Sequence, residues 1–245
     1  MKVLHFKNIL NLLKHTIPIL NIYCKSSDCV VINVMDNECS ELLYHFELES
    51  VNRLIEKKIY LLDISDVIRN FKHIKGKDII CFEDNTPTGG NNFLINIKGI
   101  GDTIITHPLL YDTTPGGLKP SVPYKSYKNF TASNGCSPYI RMFLTDFSRI
   151  LKSLKNTSDT YEIVINDNTF MISNTNPVPM SFIVPLPKVE SGQSNGTVGS
   201  TLTNNCILRL NKLQSDNTLI NIGRDFISGC VEGELKFYIY FLNVE

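Results

Sequence analysis

The sequence lacks a net charge: its 24 lysines and arginines equal its 24 aspartates and glutamates. That balance excludes a histone-like or otherwise strongly basic nucleic-acid binder, but it leaves open a surface field made by local segregation of charge. No apolar run approaches the ~20 residues needed to span a bilayer. The apolar N-terminal stretch is interrupted by Lys7, Asn8, Asn11 and Lys14, so a soluble intracellular protein is expected. Catalytic signatures are missing as well: there is no GxxxxGK[ST] loop, no HExxH, no GxSxG and no pair of carboxylates beside a helical histidine. His5, His15, His45, His73 and His107 are dispersed, and each reads as a surface or strand residue rather than a base, so no enzyme is expected. The seven cysteines, Cys24, Cys29, Cys39, Cys81, Cys136, Cys206 and Cys230, form no CxxC pair and match no histidine spacing. Reduced thiols are expected, with no zinc and no other cofactor. The sequons at Asn129, Asn156 and Asn195 carry no weight without a secretory signal.

What the chain does contain is an amphipathic segment with an echo. In residues 145–155, Phe147, Ile150, Leu151 and Leu154 fall at i, i+3, i+4 and i+7, the stripe of a helix, with Arg149 and Lys152 one turn apart on another side. Residues 62–85 run parallel to residues 144–168: a polar entry, a basic-flanked helix, a polar turn, then a β-rich run ending in an acidic-Asn turn. Repetition inside a chain is architectural, and it favours two domains over one.

Along the chain, Phe6, Ile9, Leu10 and Leu13 predict a first helix with Lys7, Asn11 and Lys14 on its polar side, stopped by Pro18. Strands are expected at 22–24, 30–35, 42–47 and 59–62, then a helix at 65–72 burying Val67, Ile68 and Phe71 and showing Arg69, Lys72 and His73. Strands at 79–83, 93–97 and 104–107 follow. Residues 111–137, rich in Pro and Gly, read as a long linker between a domain at 1–110 and another at 138–245. Strands are expected at 139–143, 161–166, 169–173, 181–186, 219–222 and 235–242, and a loop at 191–205. Residues 206–213 fit helix or strand, and the one-turn spacing of Arg209 and Lys212 leans towards helix.

Four short helices thus carry cations: Lys7 and Lys14, Arg69 and Lys72, Arg149 and Lys152, Arg209 and Lys212. A single charged helix face is ordinarily just its solvated side. If all four share one side of the sheets while acids such as Glu47, Glu49, Asp84, Glu162 and Glu234 lie elsewhere, a neutral chain acquires a positive surface suited to phosphate. So few contacts bind weakly, which suits a protein that slides.

Several stretches resemble a known family. FKNILNLLKHTIPILNIYCKSSD, VINVMDNECSELLYHFELE, LLDISDVIRNFKHIKGKDIICFEDN, IRMFLTDFSRILKSL and GELKFYIYFL are similar in order and spacing to the sliding clamps of the proliferating cell nuclear antigen (PCNA) type, in a divergent, viral-like form. A small insertion falls around residues 72–75. The resemblance implies an α+β DNA-clamp fold of two similar domains, with antiparallel sheets outside and two short helices inside each. It also implies a homotrimeric ring around double-stranded DNA, sequence-independent, raising polymerase processivity in replication and repair. On matching positions Lys7, Lys14, Arg149, Lys152, Arg69 and Lys212 face DNA. The linker becomes the connector over which clients with a PIP-box-type peptide dock, in a pocket walled by Met35, Cys39, Leu118, Val122, Phe226, Tyr238, Tyr240 and Phe241. The plain reading of the aromatics is β-core.

Subunits are expected to join by edge strands, Ile104 and Ile105 of one against Phe182 and Val184 of the next, with Pro108, Pro179, Pro185 and Pro187 bounding both segments. A clamp loader is an expected partner, and the nucleus or a viral replication site the expected location. The rival is a monomeric clamp-fold subunit, or a transcription factor, that holds DNA without encircling it.

Overall fold

The computed structural model of the chain describes residues 1–35, 42–49, 52–85, 92–99, 104–111, 139–165, 169–174, 181–185, 198–210, 218–223, 226–231 and 233–241. Through these residues one βαβββ pattern passes four times. The first pass has only a strand stub, Lys2 bridged to Ile79, followed by α1 (Val3–Leu13), β1 (Ile19–Ser26), β2 (Cys29–Met35) and β3 (Leu42–Glu49). The second is β4 (Ile59–Asp63), α2 (Ile64–Phe71), β5 (Ile79–Asp84), β6 (Asn92–Lys98) and β7 (Ile104–Leu110). The third is β8 (Tyr139–Phe143), α3 (Leu144–Leu154), β9 (Thr160–Ile165), β10 (Thr169–Asn174) and β11 (Ser181–Pro185). The fourth is β12 (Val198–Thr203), α4 (Asn204–Leu210), β13 (Leu219–Gly223), β14 (Phe226–Val231) and β15 (Leu235–Phe241).

The chain divides into two compact units. The first takes the described residues within Met1–Glu38, Tyr44–Val122 and Val231–Phe237, and the second those within Cys39–Leu43, Pro123–Cys230 and Tyr238–Glu245. In the first unit the strands run β4-β1-β2-β3 and β5-β6-β7; in the second, β11-β10-β9-β12 and β15-β14-β13-β8. Every pairing whose register is described among these strands is antiparallel. The returning segment is fixed to the first unit by Glu234, whose carbonyl accepts the Glu49 N–H at 2.8 Å and whose carboxylate accepts the Lys2 N–H at 2.9 Å.

One backbone bond recurs in all four passes. The first residue of each helix donates its N–H to the carbonyl just ahead of the strand that follows its sister helix: Val3 to Asp78 (2.8 Å), Ile64 to Pro18 (3.0 Å), Leu144 to Thr218 (2.8 Å) and Asn204 to Asp159 (2.8 Å). A helix start leaves its first N–H groups without an intrahelical partner, and here the sister chain segment satisfies one of them. Since each helix begins beside the turn that ends the other, α1 and α2 run antiparallel, as do α3 and α4. Asp63 adds a side-chain cap to α2, accepting from Ser65 and Asp66 N–H at 2.7 and 3.2 Å.

The helices seal the cores. In the first unit Phe6 of α1 lies 5.2 Å from Phe71 of α2 and 5.4 Å from Phe82 of β5, and the ring contacts continue through Phe93 and Tyr60 to Tyr111. In the second, Phe147, Leu151 and Leu154 of α3 are fully buried, with Tyr161, Phe170, Ile207 and Ile220. Ile68 and Ile150 are only half-buried, at the margins of their stripes. Two strands depart from the sequence expectation. β12 occupies the expected loop 191–205, because its ladder with β9, Val198 on Ile165 through Thr203 on Thr160, overrides its Gly, Ser and Thr composition. β14 had no counterpart in the expected elements; it pairs with β13 through Ile220 on Gly229 to Ile222 on Ile227.

Candidate nucleic-acid interface

In the first unit Lys14, Arg69 and Lys72 are exposed; in the second, Arg149 and Lys152. The two arginines occupy matching positions of the second and third passes, and each is engaged by an acid three residues earlier on its own helix. Arg69 lies 3.1 Å from Asp66 and Arg149 lies 3.6 Å from Asp146. These acids were not foreseen: the sequence reading set the carboxylates away from the helices, whereas Asp66 and Asp146 share the polar sides of α2 and α3. With guanidinium side chains 76% and 82% exposed, such pairs are worth only a few tenths of a kcal/mol, roughly 0.3–0.5. A phosphate oxygen can therefore compete for either guanidinium, whose five donors are not consumed by one carboxylate.

Two further cations differ from expectation. Lys7 is half-buried and its ammonium donates to the Ile74 carbonyl, tying α1 to the turn after α2. Arg209 is buried, at 8% exposure, and is not a solvent-facing cation. Of the ambiguous segment, the described residues 206–210 are helical, within α4 (Asn204–Leu210), and Arg209, three residues after buried Cys206, falls on its covered side. Thr203 opens that helix by accepting the Cys206 N–H at 3.4 Å. Lys212 lies outside the described residues.

The expected joining strands are edges of their sheets. β7 is the outer strand of β5-β6-β7, with Ile104 63% and Ile105 50% exposed, and β11 is the outer strand of β11-β10-β9-β12. Phe182 and Val184 sit on β11 opposite Ile172 and Phe170, and their side chains lie outside the described set. Of the expected client pocket, Cys39, Leu118 and Val122 lie outside the described residues, as does the connector beyond Tyr111. Met35, Phe226 and Phe241 are placed as strand residues only. Tyr238 is half-buried and stacks on buried Tyr240 at 6.3 Å, so the pair contributes to sheet packing.

Where the expected connector begins, a dense polar cluster went unread in the sequence. Asp84, its side chain 2% exposed, accepts from Lys58 Nζ (3.0 Å), Tyr60 Oη (2.8 Å) and Tyr111 Oη (3.3 Å). Lys58 Nζ also donates to Tyr111 Oη at 2.8 Å and lies 4.8 Å from that ring's centroid. Burial works against the Lys58 charge, but the hydrogen bonds to Tyr111 and Asp84 outweigh it and raise the ammonium's pKa. Burial pushes the Tyr60 hydroxyl well above the usual phenol range. The cluster is a structural bolt, with a carboxylate fully occupied by its own chain. Among the described cysteines, Cys24, Cys29, Cys81, Cys206 and Cys230 are thiols.

No protein-family model matches the chain, and no curated protein matches it. Solved structures do. Over its whole length the chain superposes on 97% of A. fulgidus PCNA, in a structure of that protein bound to the C-terminal region of FEN-1, with a TM-score of 0.73 and 14% identity. Over 97% of its length it superposes on 94% of a chain of the PCNA2–PCNA3 complex from Sulfolobus tokodaii, with a TM-score of 0.69 and 12% identity. The chain has the PCNA-type DNA-clamp fold.

Proposed function

We propose that the protein is a DNA sliding clamp: a homotrimeric ring that encircles duplex DNA and tethers a polymerase and other replication or repair enzymes. The observation that carries this reading is the clamp fold across the entire chain, combined with exposed cations at matching places on α2 and α3. The neighbouring structures support it by what they contain, PCNA with a FEN-1 segment and a complex of two PCNA chains. The exposed isoleucines of β7 support joining by strand addition, since an edge strand presents unfilled backbone donors and acceptors.

In this mechanism topology supplies retention. A closed ring leaves DNA only by opening or over an end, and the few cations centre the duplex while leaving it free to translate. No base reading is involved, because the cations come from separate helices rather than one helix laid in a groove. The chain itself performs no chemistry and needs no cofactor; a loader opens the ring, and clients dock through a PIP-box-type peptide. The nucleus or a viral replication site is where such a ring works.

The deciding experiment is native mass with and without nicked circular DNA. A trimer retained on circles and released by linearisation is expected. A monomer at every concentration sinks the ring in favour of a clamp-fold subunit or transcription factor that does not encircle DNA.

A further inference from the structure

The turn between α2 and β5 carries more charge than its place in the fold requires. Lys72, His73, Lys75 and Lys77 are all exposed within residues 72–78. The matching turn after α3, residues 155–159, holds one cation, Lys155, and the turn after α1 holds Lys14 and His15. Each turn leads from its helix into the following strand, this one over seven residues against five in the other two, and the junction itself uses backbone donors and acceptors rather than exposed lysines. In a chain with no net charge, such a cluster is a local field.

The turn is also held rigidly by its neighbours. The Ile74 carbonyl accepts Lys7 Nζ, the Gly76 carbonyl accepts the Leu4 N–H at 3.1 Å, and the Asp78 carbonyl accepts the Val3 N–H at 2.8 Å. Asp78 closes it from within: its N–H donates to the Lys75 carbonyl at 3.2 Å and its carboxylate accepts the Lys75 N–H at 3.1 Å. The one acid of the turn is thus committed to the backbone, while Lys72, Lys75 and Lys77 make no ion pair among the described residues. Gly76 lies against Leu4 of α1, where a Cβ would meet the Leu4 side chain at van der Waals distance. A backbone tied down by its neighbours beneath exposed ammonium groups lowers the ordering cost of gripping a polyanion.

We infer that residues 72–78 form a second phosphate-contact surface, in which Lys75 and Lys77, with Lys72, hold the backbone of duplex DNA in addition to the cations of the helix faces. The inference deepens the DNA-binding reading above but does not need a closed ring.

The test is Lys75→Ala with Lys77→Ala in the full chain, by fluorescence anisotropy on a short linear duplex over about 50 to 200 mM salt. Each lost phosphate contact removes about 0.9 from the log-log salt slope, so the slope should become shallower by about 1.8 with thermal unfolding unchanged. Over that salt range the double variant then loses ~12-fold less affinity than wild type. Lys75→Arg with Lys77→Arg should keep the wild-type slope. An unchanged slope overturns the inference, as does an unchanged slope with lost binding to phosphatidylserine vesicles, which assigns the turn to a lipid surface. A monomeric native mass with the expected slope change sinks the ring alone, and a trimer with an unchanged slope sinks this contact alone.

Discussion

Ile105→Asp tests the proposed ring at its joint. Ile105 lies on β7, the outer strand of its sheet, and is half exposed in the single chain. Covering the exposed half of an isoleucine contributes about 1 kcal/mol, from ~1.5–3 for a whole side chain. An aspartate in its place forfeits that and must be desolvated beside a neighbouring strand, at several kcal/mol more. Together these amount to roughly 4–6 kcal/mol per joint, or about a thousandfold or more in its dissociation constant. The isolated subunit has little to lose, because a half-exposed edge position leaves the new carboxylate in water. Light scattering across a dilution series should therefore show wild type as trimers and the variant as folded monomers, with unchanged thermal unfolding. Trimers of Ile105→Asp at the wild-type concentration would refute the joint.

Lys14→Ala, Arg149→Ala and Lys152→Ala together should weaken retention on nicked circles and flatten its salt dependence by about 0.9 per contact, leaving circular dichroism unchanged; undiminished retention removes these residues from the DNA path. Asp84→Asn should destabilise by roughly 3–5 kcal/mol, since it strips the carboxylate from Lys58 and two tyrosine hydroxyls in a buried cluster, as denaturant unfolding would register. Glu47 gives a pH signature. The His45 ring nitrogen Nε2, 3.6 Å away, and the Lys25 ammonium, donating at 2.8 Å, hold its carboxyl down at about 2 against the opposing effect of burial. A folded pKa below the ordinary 4.5 means stability fully present above 4.5 and lost as pH falls towards about 2, on the order of 3 kcal/mol. The difference in unfolding free energy between wild type and Glu47→Gln should narrow across that interval, and a constant difference would remove the linkage.

Helices α1, α2 and α3 were legible because each buries one stripe under a polar flank, and the spacing of Phe6, Ile9, Leu10 and Leu13, or of Phe147, Leu151 and Leu154, allows no strand. The edges β7 and β11 were legible through their prolines, Pro108 within β7 and Pro185 at the end of β11. β12 was not, because its residues look like loop and only the ladder with β9 makes them strand. Arg209 was misread because spacing gives the angle around a helix but not which angle is covered. In α4 the cover extends over three of its last four residues, Ile207, Arg209 and Leu210. The ion pairs of Arg69 and Arg149 were open to sequence reasoning, since an acid three residues earlier is visible in both helices. The Asp84 cluster had no sequence signal at all, as its members come from three separate places in the chain, Lys58 with Tyr60, Asp84, and Tyr111.

The repeat itself shows why the fold persists at 14% identity. The four junction bonds join Val3 to Asp78, Ile64 to Pro18, Leu144 to Thr218 and Asn204 to Asp159, eight positions with hardly a residue type in common. Only an N–H and a carbonyl are required, and every residue but proline supplies both; the one proline stands on the accepting side, where its missing N–H costs nothing. What the sequence must supply is apolar side chains beneath each helix, and volume rather than identity satisfies that demand. The exposed side of each helix and each post-helix turn is then free to vary without disturbing the scaffold. Charge placed there, as at Lys72, Lys75 and Lys77, reflects what the surface touches and not what holds it together.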